Sequence, residues 1–247
     1  MGTTVSIDVR RPLVDRAAID DAMAWFHDVD RRFSLFRPES EASRVAVGAL
    51  RLDDASPDVR AMVTLAETVR ERTGGYFDAR RHRPDGRLDP TGIVKGWSVD
   101  EAISLLRLAG ASNVQVVAGG DVFAAGEASH GSPWRVGIRH PEARDRVAVV
   151  LSVSNLAVAT SGLYERGGHI RDPHTGRVAD GLTSFTVVGP TLTLADAYAT
   201  AAFAMGERGL DWIAGQPGFG GLAITRDARV VWTPLVDELL VPAQLAG

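Results

Sequence analysis

Two kinds of hydrophobic periodicity divide this chain, and the division restricts the folds open to it. Up to about residue 110 apolar residues recur at helical spacing; from Asn113 they fall into short extended runs separated by Gly, Pro and Asp. Ala18, Ala22, Trp25, Phe26 and Val29 mark one face of a helix from about Leu13 to Phe33, since side chains three and four apart share a face. Asp54 or Ser56 caps a second helix, with Pro57 in its first turn, that runs to about Arg72. A third runs from about Gly96 to Leu108. Residues 36–44 and the basic, Pro/Gly-containing stretch 79–88 read as loops. Strands are predicted at 3–10, 113–118, 134–139, 147–153, 156–160, 168–171 and 183–188. A helix around Asp196, a short one at 207–214 and a hairpin of 221–226 with 229–232 complete the pattern. Early helices followed by clustered strands do not make alternating α/β units, so the expectation is an α+β fold.

The bulk properties exclude several classes of function. The 247 residues, 45% hydrophobic, supply a sizeable core. A formal charge of −4 argues against a general nucleic-acid surface. The absence of cysteine rules out disulfides, thiolate chemistry and zinc–thiolate sites. No apolar run approaches the roughly 20 residues of a membrane span. The N-terminus shows no basic stretch followed by an apolar one, which gives the expectation of a cytoplasmic protein, or an exported one if a leader was removed. No G-x-G-x-x-G follows a strand and no Walker A loop occurs. Without repeats or linkers, residues 1–247 read as a single domain.

Five segments carry candidate chemistry, each with a plainer reading beside it. In Gly189-Pro-Thr-Leu-Thr-Leu-Ala-Asp196-Ala-Tyr-Ala-Thr200, a carboxylate and a hydroxyl lie one helical turn apart. Such an oxygen pair suits a hard cation such as magnesium; equally, Asp196 serves the helix dipole and Thr200 fills the core. Leu88-Asp89-Pro-Thr-Gly92-Ile-Val-Lys95-Gly96 enters a helix with a single lysine that either neutralises a phosphate or lies in solvent. Gly119-Gly120-Asp121 either ends a strand in a turn or offers amides to an anion. Thr160-Ser161-Gly162 is either a site edge or a turn capped by its own hydroxyls. In His169-Ile-Arg-Asp172-Pro-His-Thr-Gly176 a rigid turn follows a histidine that acts as general base or as a structural hydrogen-bonding group.

The order of these segments adds information that none has alone. Phe33-Ser-Leu-Phe with Ser40-Glu-x-Ser-Arg44, Gly74-Gly-Tyr-Phe-Asp78, Leu88-Asp89…Gly92-Ile-x-Lys95-Gly96…Asp100, Gly119-Gly-Asp121, Pro133-Trp-x-Val-Gly-Ile138, Ala159-Thr-Ser-Gly162, His169-Ile-x-Asp-Pro-x-Thr-Gly176 and Ala195-Asp196-Ala…Thr200 follow one another. The succession resembles the ApbE-like flavin transferases, the FAD:protein FMN transferases, from residue 1 to about 206. The resemblance implies a T-fold-like architecture, with N-terminal helices packed on a mixed or antiparallel sheet. It also implies magnesium-dependent transfer of FMN from FAD to a Thr or Ser hydroxyl of an acceptor flavoprotein, with release of AMP. Carried over by motif, Asp196, Thr200 and the Gly92 carbonyl hold magnesium and His169 activates the acceptor hydroxyl. Ser40, Asp78, Asp89, Lys95, Gly119, Gly120, Asp121, Thr160 and Ser161 line the FAD site. The chain departs from the family pattern at Ala46, at the short stretch 79–87, at Pro90-Thr91 and at Leu163. An FAD pyrophosphatase and a non-catalytic flavin-binding protein remain as alternative functions.

Overall fold

In a computed structural model, residues 2–81, 86–141, 143, 146–163 and 170–242 are described. Strand β1 (Val5–Val9) is followed by helices α1 (Arg16–Phe33), α2 (Glu41–Ala46), α3 (Pro57–Arg72) and α4 (Thr91–Leu108). Strands β2 (Val114–Ala118), β3 (Asp121–Ala125), β4 (Trp134–Arg139), β5 (Val147–Val153), β6 (Leu156–Gly162) and β7 (Leu182–Gly189) come next. Helices α5 (Leu192–Met205) and α6 (Arg208–Ala214), strands β8 (Gly220–Thr225) and β9 (Val230–Trp232), and helix α7 (Pro234–Asp237) close the chain.

The α+β expectation holds, and the sheet is antiparallel throughout. Its order is β1-β2-β3-β6-β7-β8-β9, while β4 and β5 pair with each other as a separate ribbon. Alternation along the strands divides the interior in two. Phe123 and Ala125 of β3 join a large core with α1, α3, α4 and α5. Their neighbours Val122 and Ala124 join a smaller core with Trp134, Val136 and Ile138 of β4 and Leu151 and Val153 of β5. The ribbon thus covers the sheet face that the helices leave open. No helix among the described residues is long and apolar enough to cross a membrane.

Several elements differ from the sequence expectation, each for a local reason. The segment expected to be a loop before residue 44 ends in α2, because the Ser40 hydroxyl accepts from the Ser43 amide at 3.0 Å and caps a short helix. Helix α4 starts at Thr91 rather than Gly96, because Asp89 Oδ1 accepts from the Thr91 amide at 3.0 Å and from its hydroxyl. Strand β3 is additional: Ala118 pairs with Asp121 across a hairpin whose two turn residues, Gly119 and Gly120, have φ of +59° and +96°, as tight hairpin turns require. Of the strand expected at 168–171, residues 168 and 169 lie outside the described residues, and Arg171 makes an isolated bridge to Val178.

Two contacts set the helix layer on the sheet. Trp25 of α1 donates to the Ser98 carbonyl of α4 at 2.9 Å, and its ring meets Trp97 edge-on at 5.0 Å. Gly96 of α4 lies directly on α5: a Cβ there would stand 2.4 Å from the Leu192 carbonyl oxygen and 2.6 Å from the Thr193 nitrogen. The two helices therefore meet backbone to backbone, and the alanine-rich α5 is buried on nearly every side. Gly96→Ala is expected to destabilise the fold by about 1–3 kcal/mol through overpacking. Urea unfolding measures the change, and an unaltered midpoint would mean that the helices can separate without cost.

Candidate functional site

A cavity of about 980 Å³ opens where the start of α4, the β2–β3 turn, the end of β6 and the middle of α5 converge. Strand β4 supplies a further wall with Val136, Gly137, Ile138 and Arg139. Gly2, Thr3 and the segment Phe33–Phe36 at the end of α1 complete the rim, with Phe36 86% exposed.

Lys95, one turn into α4, stands between two carboxylates. Its ammonium contacts Asp121 Oδ2 of β3 and lies 3.3 Å from Asp196 Oδ2 of α5. The Asp121 side chain is 1% exposed and that of Asp196 9%; buried carboxylates of this kind require a nearby cation. The other oxygen of Asp121 accepts from the Thr160 amide of β6 at 3.0 Å. Lys95, Asp121 and Asp196 thus set one lysine beside two aspartates, an environment that favours a further cation. Beside it, the hydroxyls of Ser161 and Thr200 are 3.3 Å apart, and Thr160 shares a hydrogen bond of 2.9 Å with Thr186.

Most of the residues singled out in the sequence meet at this cavity. Asp89, Gly92, Lys95, Gly119, Gly120, Thr160, Ser161, Asp196 and Thr200 line it, and Asp121 sits against Lys95. Two do not reach it. Ser40 is buried as the α2 cap, with its hydroxyl donating to the Ser34 carbonyl at 2.8 Å. Asp78 faces a separate depression of about 470 Å³ and accepts from the Arg80 amide at 2.8 Å. Gly119 contributes close approach instead of an anion-binding amide: its N–H donates to the Thr4 carbonyl at 3.1 Å, and a Cβ would stand 2.5 Å from Thr3 Oγ1. His169 lies outside the described residues. The Asp172–Gly176 turn is described, and Asp172 accepts from the His174 amide at 2.9 Å and the Thr175 hydroxyl at 3.0 Å.

Sequence reasoning assigned no role to the β4 wall. Alternation predicts that Val136 and Ile138 share a face, but nothing local says which layer that face covers. Among the described residues, no three His, Asp or Glu side chains converge as a metal site. A metal here would instead draw on mixed oxygen donors: the Asp196 carboxylate, the Thr200 hydroxyl and the backbone at Gly92, all on one cavity lining.

Replacing Lys95 with Met strands two buried charges, and a loss of about 3 kcal/mol is expected, at the low end for broken buried pairs because the lysine is partly solvated. Urea unfolding checks it. Lys95→Met combined with Asp121→Asn should recover part of the loss, and a double variant no more stable than the single one would refute the pairing.

Comparison with known proteins bears on this arrangement. The model of the ApbE family matches residues 1–82 and 79–222. An FAD:protein FMN transferase of Rhodobacter capsulatus is 33% identical over 232 residues, which is 90% of this chain and 41% of that protein. One from Haemophilus influenzae is 34% identical over 135 residues, 50% of this chain and 39% of that protein. The chain spans about two fifths of the length of these curated relatives. Among solved structures, the flavin transferase ApbE of Vibrio cholerae superposes with a TM-score of 0.83 at 24% identity, covering 97% of this chain and 96% of that one. The apo flavinyl transferase ApbE of Pseudomonas stutzeri gives 0.81 at 23% identity, over 96% and 95% of the two chains. At these identities the structural likeness is one of fold.

Proposed function

The chain belongs to the ApbE family, and on that premise we propose that its large cavity binds FAD and that the protein transfers the FMN portion to a Thr or Ser hydroxyl of an acceptor flavoprotein, releasing AMP. The observation that carries this reading is the Lys95–Asp121–Asp196 cluster beside a cavity at the upper end of the usual size for small-molecule sites.

The donor set fits magnesium, which takes oxygen ligands and keeps several positions for water and phosphate oxygens. Asp196 and Thr200, one turn apart on α5, would hold it together with the Gly92 carbonyl from α4. Bound there, the ion supplies charge neutralisation at the pyrophosphate, which phosphoryl chemistry needs more than covalent assistance. Lys95 adds a fixed positive charge beside the phosphates. The close turn at Gly119-Gly120 lets the dinucleotide approach the backbone, and Val136, Ile138, Val158 and Ile170 keep that part of the cavity apolar.

In the transfer itself, the acceptor hydroxyl oxygen forms a bond to the FMN phosphorus. The bond from that phosphorus to the bridging oxygen breaks, and the oxygen leaves with AMP. The hydroxyl must lose its proton to become an effective nucleophile, and His169 is the residue assigned to take it, by resemblance of its motif.

Incubation with FAD and magnesium, with and without a flavoprotein domain bearing a Thr acceptor, tests the reading. Covalent flavin on the acceptor with an equivalent of AMP is expected. Free FMN in place of covalent flavin would indicate a pyrophosphatase, and intact FAD after hours a flavin-binding protein. Asp196→Ala is expected to lower turnover at least 100-fold.

Magnesium should also raise thermal stability, by about 2.7 kcal/mol at 100 times its dissociation constant. A melting temperature indifferent to EDTA and magnesium would remove the metal from the account.

A further inference from the structure

Asp100 does not line the cavity, yet it is tied to the helix that carries Asp196 and Thr200. It lies one turn beyond Gly96 on α4. Its Oδ1 accepts from the Leu192 amide at 2.9 Å, and its Oδ2 from the Thr193 amide at 2.9 Å and from the Thr193 hydroxyl. Leu192 and Thr193 are the first two residues of α5, and the N-cap residue of that helix, Thr191, makes no capping bond with its own side chain. The first amides of a helix have no partner within it, and normally a residue just before the helix satisfies them. Here the neighbouring helix does so.

A cap supplied in trans has a consequence that a local cap lacks. A local cap moves with its helix, whereas Asp100 fixes the start of α5 to a point on α4. Gly96, four residues earlier, lets the same two backbones touch. Lys95 adjoins that contact on α4, and Asp196 follows Leu192 by one turn on α5. The 3.3 Å approach of Lys95 to Asp196 is thus set by how the two helices are seated. Burial pushes the Asp100 carboxyl above the usual carboxylate range, while the Thr193 hydroxyl and the two amides pull it down.

We infer that Asp100 is a positioning residue: by capping α5 from α4 it sets where Asp196 and Thr200 stand relative to Lys95 and Gly92. What that centre does rests on the function proposed above; the placement itself does not. Asp100→Ala removes all three acceptor contacts, and Asp100→Asn retains one acceptor oxygen. Crystal structures of the wild type and both variants read the placement directly. The Lys95 Nζ–Asp196 Oδ2 separation is expected to lengthen by about 1 Å or more in Asp100→Ala and by less in Asp100→Asn; an unchanged separation overturns the inference.

Calorimetric titration with magnesium alone gives the functional consequence. Affinity is expected to fall about tenfold in Asp100→Ala, with Asp100→Asn between it and the wild type. Thr233→Ala is the control for stability alone: it deletes the acceptor of the Gly221 amide, bonded at 3.0 Å, away from the cavity. It should lower the melting temperature while leaving magnesium affinity within twofold. A loss of affinity in Thr233→Ala equal to that in Asp100→Ala would reduce Asp100 to a purely structural cap and overturn the inference. If Asp100→Ala does not fold, Thr193→Val removes only the hydroxyl bond and is expected to weaken magnesium about threefold; an unaltered titration overturns it. A wild type that binds no magnesium while the crystallographic separation still lengthens in the variants would sink the proposed metal chemistry and leave the positioning role standing.

Discussion

Buried carboxylates are costly alone and tolerable only beside a cation, and the half-buried ammonium of Lys95 is where this chain meets that condition. The lysine comes from α4, one carboxylate from β3 and the other from α5, while β6 joins through the Thr160 amide. Four segments far apart in sequence are thereby held in one arrangement. The bond from Thr160 occupies the oxygen of Asp121 that Lys95 does not, so the inner carboxylate is satisfied on both sides. Asp196 lies at the cavity wall, where its charge remains within reach of a ligand.

Much of this was legible in the sequence, for identifiable reasons. The long helices declare themselves by period, and the later strands by short β-rich runs between turn residues. The acid and the hydroxyl on α5 were found because four-residue spacing is a strictly local relation. What the sequence hid is tertiary. Gly92 lies before the helix start expected at about Gly96, yet it sits in α4, whose first turn Asp89 caps, and Phe77 packs close to Gly92 as the backbone of α5 does to Gly96. Ser40 stands in a motif that implied a ligand contact, but its hydroxyl is spent on capping α2 and on the Ser34 carbonyl. Asp78 is likewise turned to a separate depression. Asp100 was visible in its motif, but nothing around it in sequence says that its partners are the amides of Leu192 and Thr193.

The small side chains of α5 follow from the same geometry. Ala195, Ala197, Ala199, Ala201 and Ala202 are fully buried, between the sheet on one side and α4 and α6 on the others. Larger residues would push the layers apart, and with them the separations on which the Lys95 cluster depends. A helix hydrophobic all round is the expected form of a central core helix, and Asp196 and Thr200 interrupt it on the side where the cavity begins.

The ribbon of β4 and β5 has a different standing from the rest of the cavity. Among the described residues these two strands pair with each other and β5 also bonds to the segment after α7 through Val150 and Ser152, while β4 contributes one whole wall. Substitutions at Val136 or Ile138 therefore reshape that wall without removing a backbone rung of the seven-stranded ladder, at the cost of repacking the smaller core they share with Val122 and Val158. The Lys95 cluster thus sits on the helices and the main sheet, and part of the cavity's contour on a ribbon that meets that sheet through side chains, so size and shape can drift there while the charges stay in place.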